Sequence, residues 1–148
     1  MAKPILIPPG AGKSVTVLGA PYKIKIQGHE TGGAFSVVET TDAPNAGTPP
    51  HTHTREDEAF YVLEGEYEFF CGGEKHLVKA GTTVFAPRNI QHCYKNAGKA
   101  PGRLLVTLTP AGFEKFFEEL DAMPSAQQQI PRVVELGMKY GLKFPPPG

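Results

Sequence analysis

Two histidines stand two residues apart, His51 and His53, and a carboxylate, Glu58, follows five residues later. On an extended strand, side chains two apart share a face, roughly 6.6 Å apart along the chain. His51 and His53 therefore reach into one cavity, and Glu58 enters where the next strand begins. A fourth donor, His92, lies downstream in Gly81–Asn96, GTTVFAPRNIQHCYKN. Three imidazoles and one carboxylate converging from separate strands would hold one divalent transition ion: Fe, Mn, Ni, Co, Cu or Zn. Four protein ligands around an octahedral ion leave two positions open. That points to Lewis-acid or oxygen chemistry and away from a closed structural site. Glu58 is then the catalytic candidate, ligating or swinging off to take a substrate proton. Binding is expected to weaken as pH falls through the ordinary histidine range near 6.5, because a protonated ring cannot ligate.

A His-x-His pair alone is a weak signal, since such pairs also occur on surfaces and in cores. The other charged and aromatic neighbours have blander readings. Glu56 and Asp57 read as solvated loop charges. His29 and His76 read as surface residues, and Cys93 is turned away from His92 by strand alternation. Phe60 shares the parity of Glu58, and Tyr94 that of His92. With Phe69 they are candidates for an apolar pocket wall, or else for plain interior filling. Arg55, Arg88 and Arg103 are candidate anion holders that nothing in the pattern places in a cavity.

The elements that position these groups are short and extended. SVTVLG (14–19), YKIKIQG (22–28), AFSVVETT (34–41), EAFYVLEG (58–65), EYEFFCGG (66–73), EKHLVKAG (74–81), TTVFAP (82–87), QHCYKN (91–96) and GRLLVTLTP (102–110) alternate as strands. Glu64-Gly65 and Gly72-Gly73 read as hairpin turns. DAPNAGTPP (42–50) reads as a loop without regular structure, because its prolines remove donors. After Pro110, Phe113, Phe116, Phe117 and Leu120 recur at helical spacing. A weaker helix follows over 125–141, interrupted at Pro131 and capped at Gly141. LKFPPPG reads as a polyproline-like tail. The expectation is one domain over 1–148: an arm (1–13), an all-β barrel (14–110), one or two helices packed on it (111–141) and the tail (142–148).

Bulk composition narrows the function classes. The 148 residues carry 15 Lys plus Arg against 15 Asp plus Glu, so no net field favours nucleic acid or an anionic membrane. The 17 Gly and 15 Pro are scattered, as many turns require. No apolar run approaches a membrane span, and the first residues lack a signal-peptide pattern, so the expected place is the cytoplasm. Cys71 and Cys93 form no CxxC and read as two free thiols.

The spacing G-x3-HTH-x4-E-x6-G over 47–65, with G-x5-P-x-N-x2-H-x3-N over 81–96, resembles the paired motifs of the cupin superfamily. His51, His53, Glu58 and His92 fall on that family's metal-ligand positions. Two departures are visible. The first glycine sits three residues before His51 where five are common, and Asn89 stands where glycine is frequent. The closing pattern RLLVTLTPAGFEKFFEEL (103–120) is similar to small single-domain cupins of the quercetin 2,3-dioxygenase-like group. The resemblance implies a jelly-roll β-barrel (double-stranded β-helix), one divalent metal and a homodimer.

Three functions compete at this point: a metal-dependent dioxygenase on a small aromatic or polyphenol-like substrate, a non-oxidative isomerase or decarboxylase on a small carboxylate or sugar derivative, and a non-catalytic ligand-binding module. The sheet edge at 14–19 and the arm are where a second copy would pair.

Overall fold

A computed structural model describes residues 3–124 and 129–146. Ten strands come first: β1 (Lys13–Val17), β2 (Ala20–Ile26), β3 (Ser36–Asp42), β4 (Thr52–His53), β5 (Asp57–Glu64), β6 (Glu66–Cys71), β7 (Glu74–Lys79), β8 (Thr83–Ala86), β9 (His92–Asn96) and β10 (Gly102–Thr109). Helices α1 (Glu114–Ala122) and α2 (Ile130–Lys139) and a last strand, β11 (Leu142–Lys143), complete the chain. Alternation decides which face is inside. In β3 every second residue from Ser36 is buried, and in β10 every second residue from Gly102.

Six strands form one sheet in the order β1-β2-β3-β10-β5-β8, and β7-β6-β9 form a second. The core lies between them, built on Val38, Phe60, Val62, Tyr67, Phe69, Leu104 and Leu108. Each such side chain contributes about 1.5–3 kcal/mol when taken out of water. The expected barrel is thus two facing sheets of a jelly roll, whose hydrogen-bond ladders do not close into one cylinder. Gly65 shows why. The sequence suggests a hairpin there, yet β5 pairs with β10 and β8 while β6 pairs with β7 and β9. At Gly65, φ +91°, the chain turns a corner from one sheet to the other. The Gly72-Gly73 hairpin is as expected, with Cys71 opposite Glu74.

Three further expectations change. The proline-bearing stretch 42–50 is not free: Asn45 N–H, Thr48 N–H and His51 N–H donate to the carbonyls of Asn96, Tyr94 and His92. None of its prolines occupies a donor position, so the stretch runs along β9 as an irregular extra edge. Pro131 lies in the first turn of α2, where its missing donor costs nothing, rather than interrupting a helix. The stretch 125–128, expected as the start of that helix, lies outside the described residues. The tail, expected to be polyproline-like, begins as a strand: β11 pairs with β4, Leu142 opposite His53.

The arm lies against its own sheet. Lys23 Nζ donates to the Gly10 carbonyl, and Lys25 Nζ to that of Ala11 at 2.7 Å. The outer edge of β1 meets α1, where Thr16 N–H donates to Asp121 at 2.8 Å. No helix among the described residues is long and apolar enough to cross a membrane.

Candidate metal centre

His53 comes from β4, Glu58 from β5 and His92 from β9, while His51 immediately precedes β4. The backbones of His51 and His92 bond each other reciprocally, N–H to carbonyl, at 3.0 and 2.9 Å. That bridge joins the two motif stretches. Asn89, φ +67°, takes the left-handed conformation and its N–H donates to the His53 carbonyl at 2.8 Å. The asparagine that departs from the family's glycine therefore keeps the turn and ties it to the ligand strand.

The four side chains are all buried, and one donor atom from each lies within 4.8 Å of the others. Glu58 Oε1 is 2.5 Å from His53 Nε2 and 3.2 Å from His92 Nε2. His51 Nδ1 lies 2.8 Å from the Pro49 carbonyl oxygen and His92 Nδ1 3.2 Å from that of Ile90. A carbonyl only accepts, so these contacts place the proton on Nδ1 and leave Nε2 as the donor atom. The residue types, their burial and the clustering of their donor atoms fit a divalent transition ion.

Charge is unevenly distributed over the cluster. Burial, with His92 close by, lowers the His51 pKa to about 4. Burial also opposes charge on His53, but the Glu58 and Glu56 carboxylates outweigh it and raise that ring to about 9. Burial pushes Glu58 upward, yet His53 and His92 together hold it well below the usual carboxylate range.

Glu56 is not a solvated loop charge. Only 4% of it is exposed, and Oε1 lies 3.4 Å from His53 Nδ1. Its position two residues before Glu58 already carried the signal, because alternation puts both on one face. Asp57 does face outward and pairs with Arg88 at 3.2 Å.

A cavity of about 480 Å3 opens beside the cluster, with His51, His53 and Glu58 in its wall. Of the aromatic candidates, Phe60 and Tyr94 line it. Phe69 does not: it is packed in the core at a ring-centroid distance of 5.6 Å from Tyr94. Among the other wall residues, which sequence reading missed, three stand out. Tyr22 places its hydroxyl 3.2 Å from that of Tyr94. Phe113 sets its ring edge-on to His53, centroids 4.4 Å apart. Leu142 closes the wall from the C-terminal strand. The remaining lining residues are apolar or hydroxyl-bearing, with no Lys or Arg among them. Burial, aided for Tyr94 by neighbouring Tyr22 and Asp42, drives both tyrosines far above the ordinary phenol range. They are neutral hydroxyls at any working pH.

Comparison with known proteins places this arrangement. The germin-like protein subfamily 2 member 2 of Arabidopsis thaliana is 38% identical over 110 residues, covering 71% of this chain and 48% of that protein. The quercetin 2,3-dioxygenase of Bacillus subtilis is 26% identical over 119 residues, covering 80% of this chain and 35% of that enzyme. The chain thus spans about half the length, or less, of these relatives. The solved structure of KdgF from Halomonas sp. superposes with a TM-score of 0.68 at 20% identity, covering 76% of this chain and 99% of that one. Residues 38–108, from β3 to β10 and including all four clustered side chains, match the family model described as a cupin domain. The chain is a member of the cupin superfamily.

Proposed function

We propose that the protein is a metal-dependent dioxygenase acting on a small aromatic, polyphenol-like substrate, with His51, His53, Glu58 and His92 holding the ion. The observation that carries this reading is the cavity. It is a pocket of about 480 Å3, walled by Phe60, Phe113, Phe116, Phe117 and aliphatic side chains, with the donor cluster on one side. Such a lining suits a flat apolar body and offers no Lys or Arg to a free carboxylate or sugar phosphate. The similarity to a quercetin 2,3-dioxygenase supports the same class.

When bound, the ion supplies Lewis-acid polarisation and the oxygen chemistry. The chain's own residues do the rest. Glu58 is the carboxylate in the wall and accepts the proton of a substrate hydroxyl. Tyr94 and Tyr22, kept neutral, share one hydrogen bond, which leaves one hydroxyl proton to donate to a substrate oxygen, and neither acts as a base. The aromatic wall orients the ring and excludes bulk water. Oxygen-electrode measurements with Fe-, Mn- and Ni-loaded protein and a panel of polyphenols test the proposal. Consumption that depends on both metal and substrate is expected, and none with any metal refutes it.

A further inference from the structure

We propose that Glu56 is a positioning residue of the centre, acting on the ion through His53; the inference rests on the metal reading above. Each of the three imidazoles needs an outer partner to fix which nitrogen faces inward. His51 and His92 use backbone carbonyls, those of Pro49 and Ile90. His53 faces a carboxylate instead, Glu56 Oε1 at 3.4 Å. These two atoms are buried without a hydrogen-bond partner, and they face each other. The guanidinium of Arg88 is committed to Asp57. A carboxylate oxygen taken out of water without a hydrogen bond is costly, so the place of Oε1 beside Nδ1 is chemically specific.

The consequence is an asymmetric ligand set. A carboxylate acceptor makes His53 a stronger donor than a ring backed by a peptide carbonyl. It also adds a second negative charge beside the ligands. A divalent ion with Glu58 alone keeps a charge of plus one; with Glu56 the buried centre is neutral. Glu56, just before β5, and Glu58 within it are both buried, while Asp57 between them turns out to pair with Arg88.

The test is zinc affinity by chelator competition on the full chain and its Glu56→Ala and Glu56→Gln variants. Glu56→Ala should bind 10–100-fold more weakly. Glu56→Gln keeps an acceptor without the charge and should fall between. Nitrogen-15 histidine spectra supply the second readout. The His53 Nδ1–H resonance alone should move on substitution, while those of His51 and His92 stay. Unchanged zinc affinity in a folded Glu56→Ala protein overturns the proposal, as does a spectrum in which all three rings move together. If Glu56→Ala does not fold, Glu56→Gln decides by the same criteria. Should the parent chain bind no zinc, the metal reading itself falls. The His53 resonance in ion-free protein then still decides whether Glu56 holds that ring.

Discussion

Leu142 stands opposite His53 in a two-strand ladder, so the C-terminal strand, not either large sheet, holds the outer side of a ligand strand. The ladder is extended where Thr54 N–H and its hydroxyl both donate to the Gly141 carbonyl, at 3.0 and 2.6 Å. Leu142 is itself buried in the core and forms part of the cavity wall. Leu142→Ala should therefore cost about 2–5 kcal/mol and weaken metal binding as well. Urea denaturation and zinc titration of the same samples check both. A loss of stability with undiminished affinity would show that β11 does not position His53.

Gly47 is where the stretch before His51 crosses β9. A methyl group there would meet the Tyr94 carbonyl oxygen at 1.9 Å and Lys95 Cα at 2.7 Å, both backbone. Nothing flexible can move aside, so Gly47→Ala must push the stretch off β9 and take His51 with it. The expected cost exceeds about 3 kcal/mol, together with loss of the His51–His92 bridge. Thermal unfolding and backbone amide exchange at His51 and His92 measure it. A variant as stable and as protected as the parent would refute this account of why the glycine lies so near the motif.

The residues that sequence reading brought to the centre were carried by short-range periodicity and fixed spacing. His51 and His53 share a face, Glu58 starts the following strand, and His92 is brought back by the β6–β9 pairing. What the sequence did not reveal depends on long-range packing. Leu142 reaches His53 from 89 positions away, and no local pattern distinguishes a two-residue strand from a tail. Phe113 read as part of a helix stripe, yet its ring lies on His53 because α1 follows directly on β10. The turn at Gly65 was legible as a turn but not as a sheet-to-sheet corner, since both need the same left-handed glycine. Glu56 is different: its parity with Glu58 is visible in the sequence, but the general exposure of charged residues points the other way.

If the four-residue cluster holds an ion only in the folded state, ligand must stabilise the fold by mass action. At a free ion concentration about 100 times Kd the gain is about 2.7 kcal/mol. Zinc or manganese should raise the melting temperature of the parent chain. Glu58→Gln, which removes the one ligating carboxylate of the cluster, and His92→Ala should abolish most of that rise. Differential scanning calorimetry with and without a chelator reads it. An equal rise in Glu58→Gln would mean the ion binds elsewhere.

The pH dependence separates this cluster from three ordinary histidines. In the ion-free fold the His53 pKa is raised to about 9 and that of His51 lowered to about 4. Near neutral pH, His53 therefore carries a proton beside ionised Glu58, and an ion must displace that proton to gain the Nε2 lone pair. Proton and ion compete, so affinity should climb about tenfold per pH unit from pH 7 to 9, with about one proton released per ion. Rings titrating near 6.5 would give a flat profile over that range. Stability of the ion-free fold moves the opposite way. The folded chain holds the His53 proton more tightly than the unfolded chain does. That contribution is fully present below about 6.5 and is lost as pH rises through about 9. Titration calorimetry at pH 8, in buffers of different ionisation enthalpy, counts the protons. A count near zero would show that His53 is neutral before the ion arrives, and the close His53–Glu58 contact would then not be an ion pair.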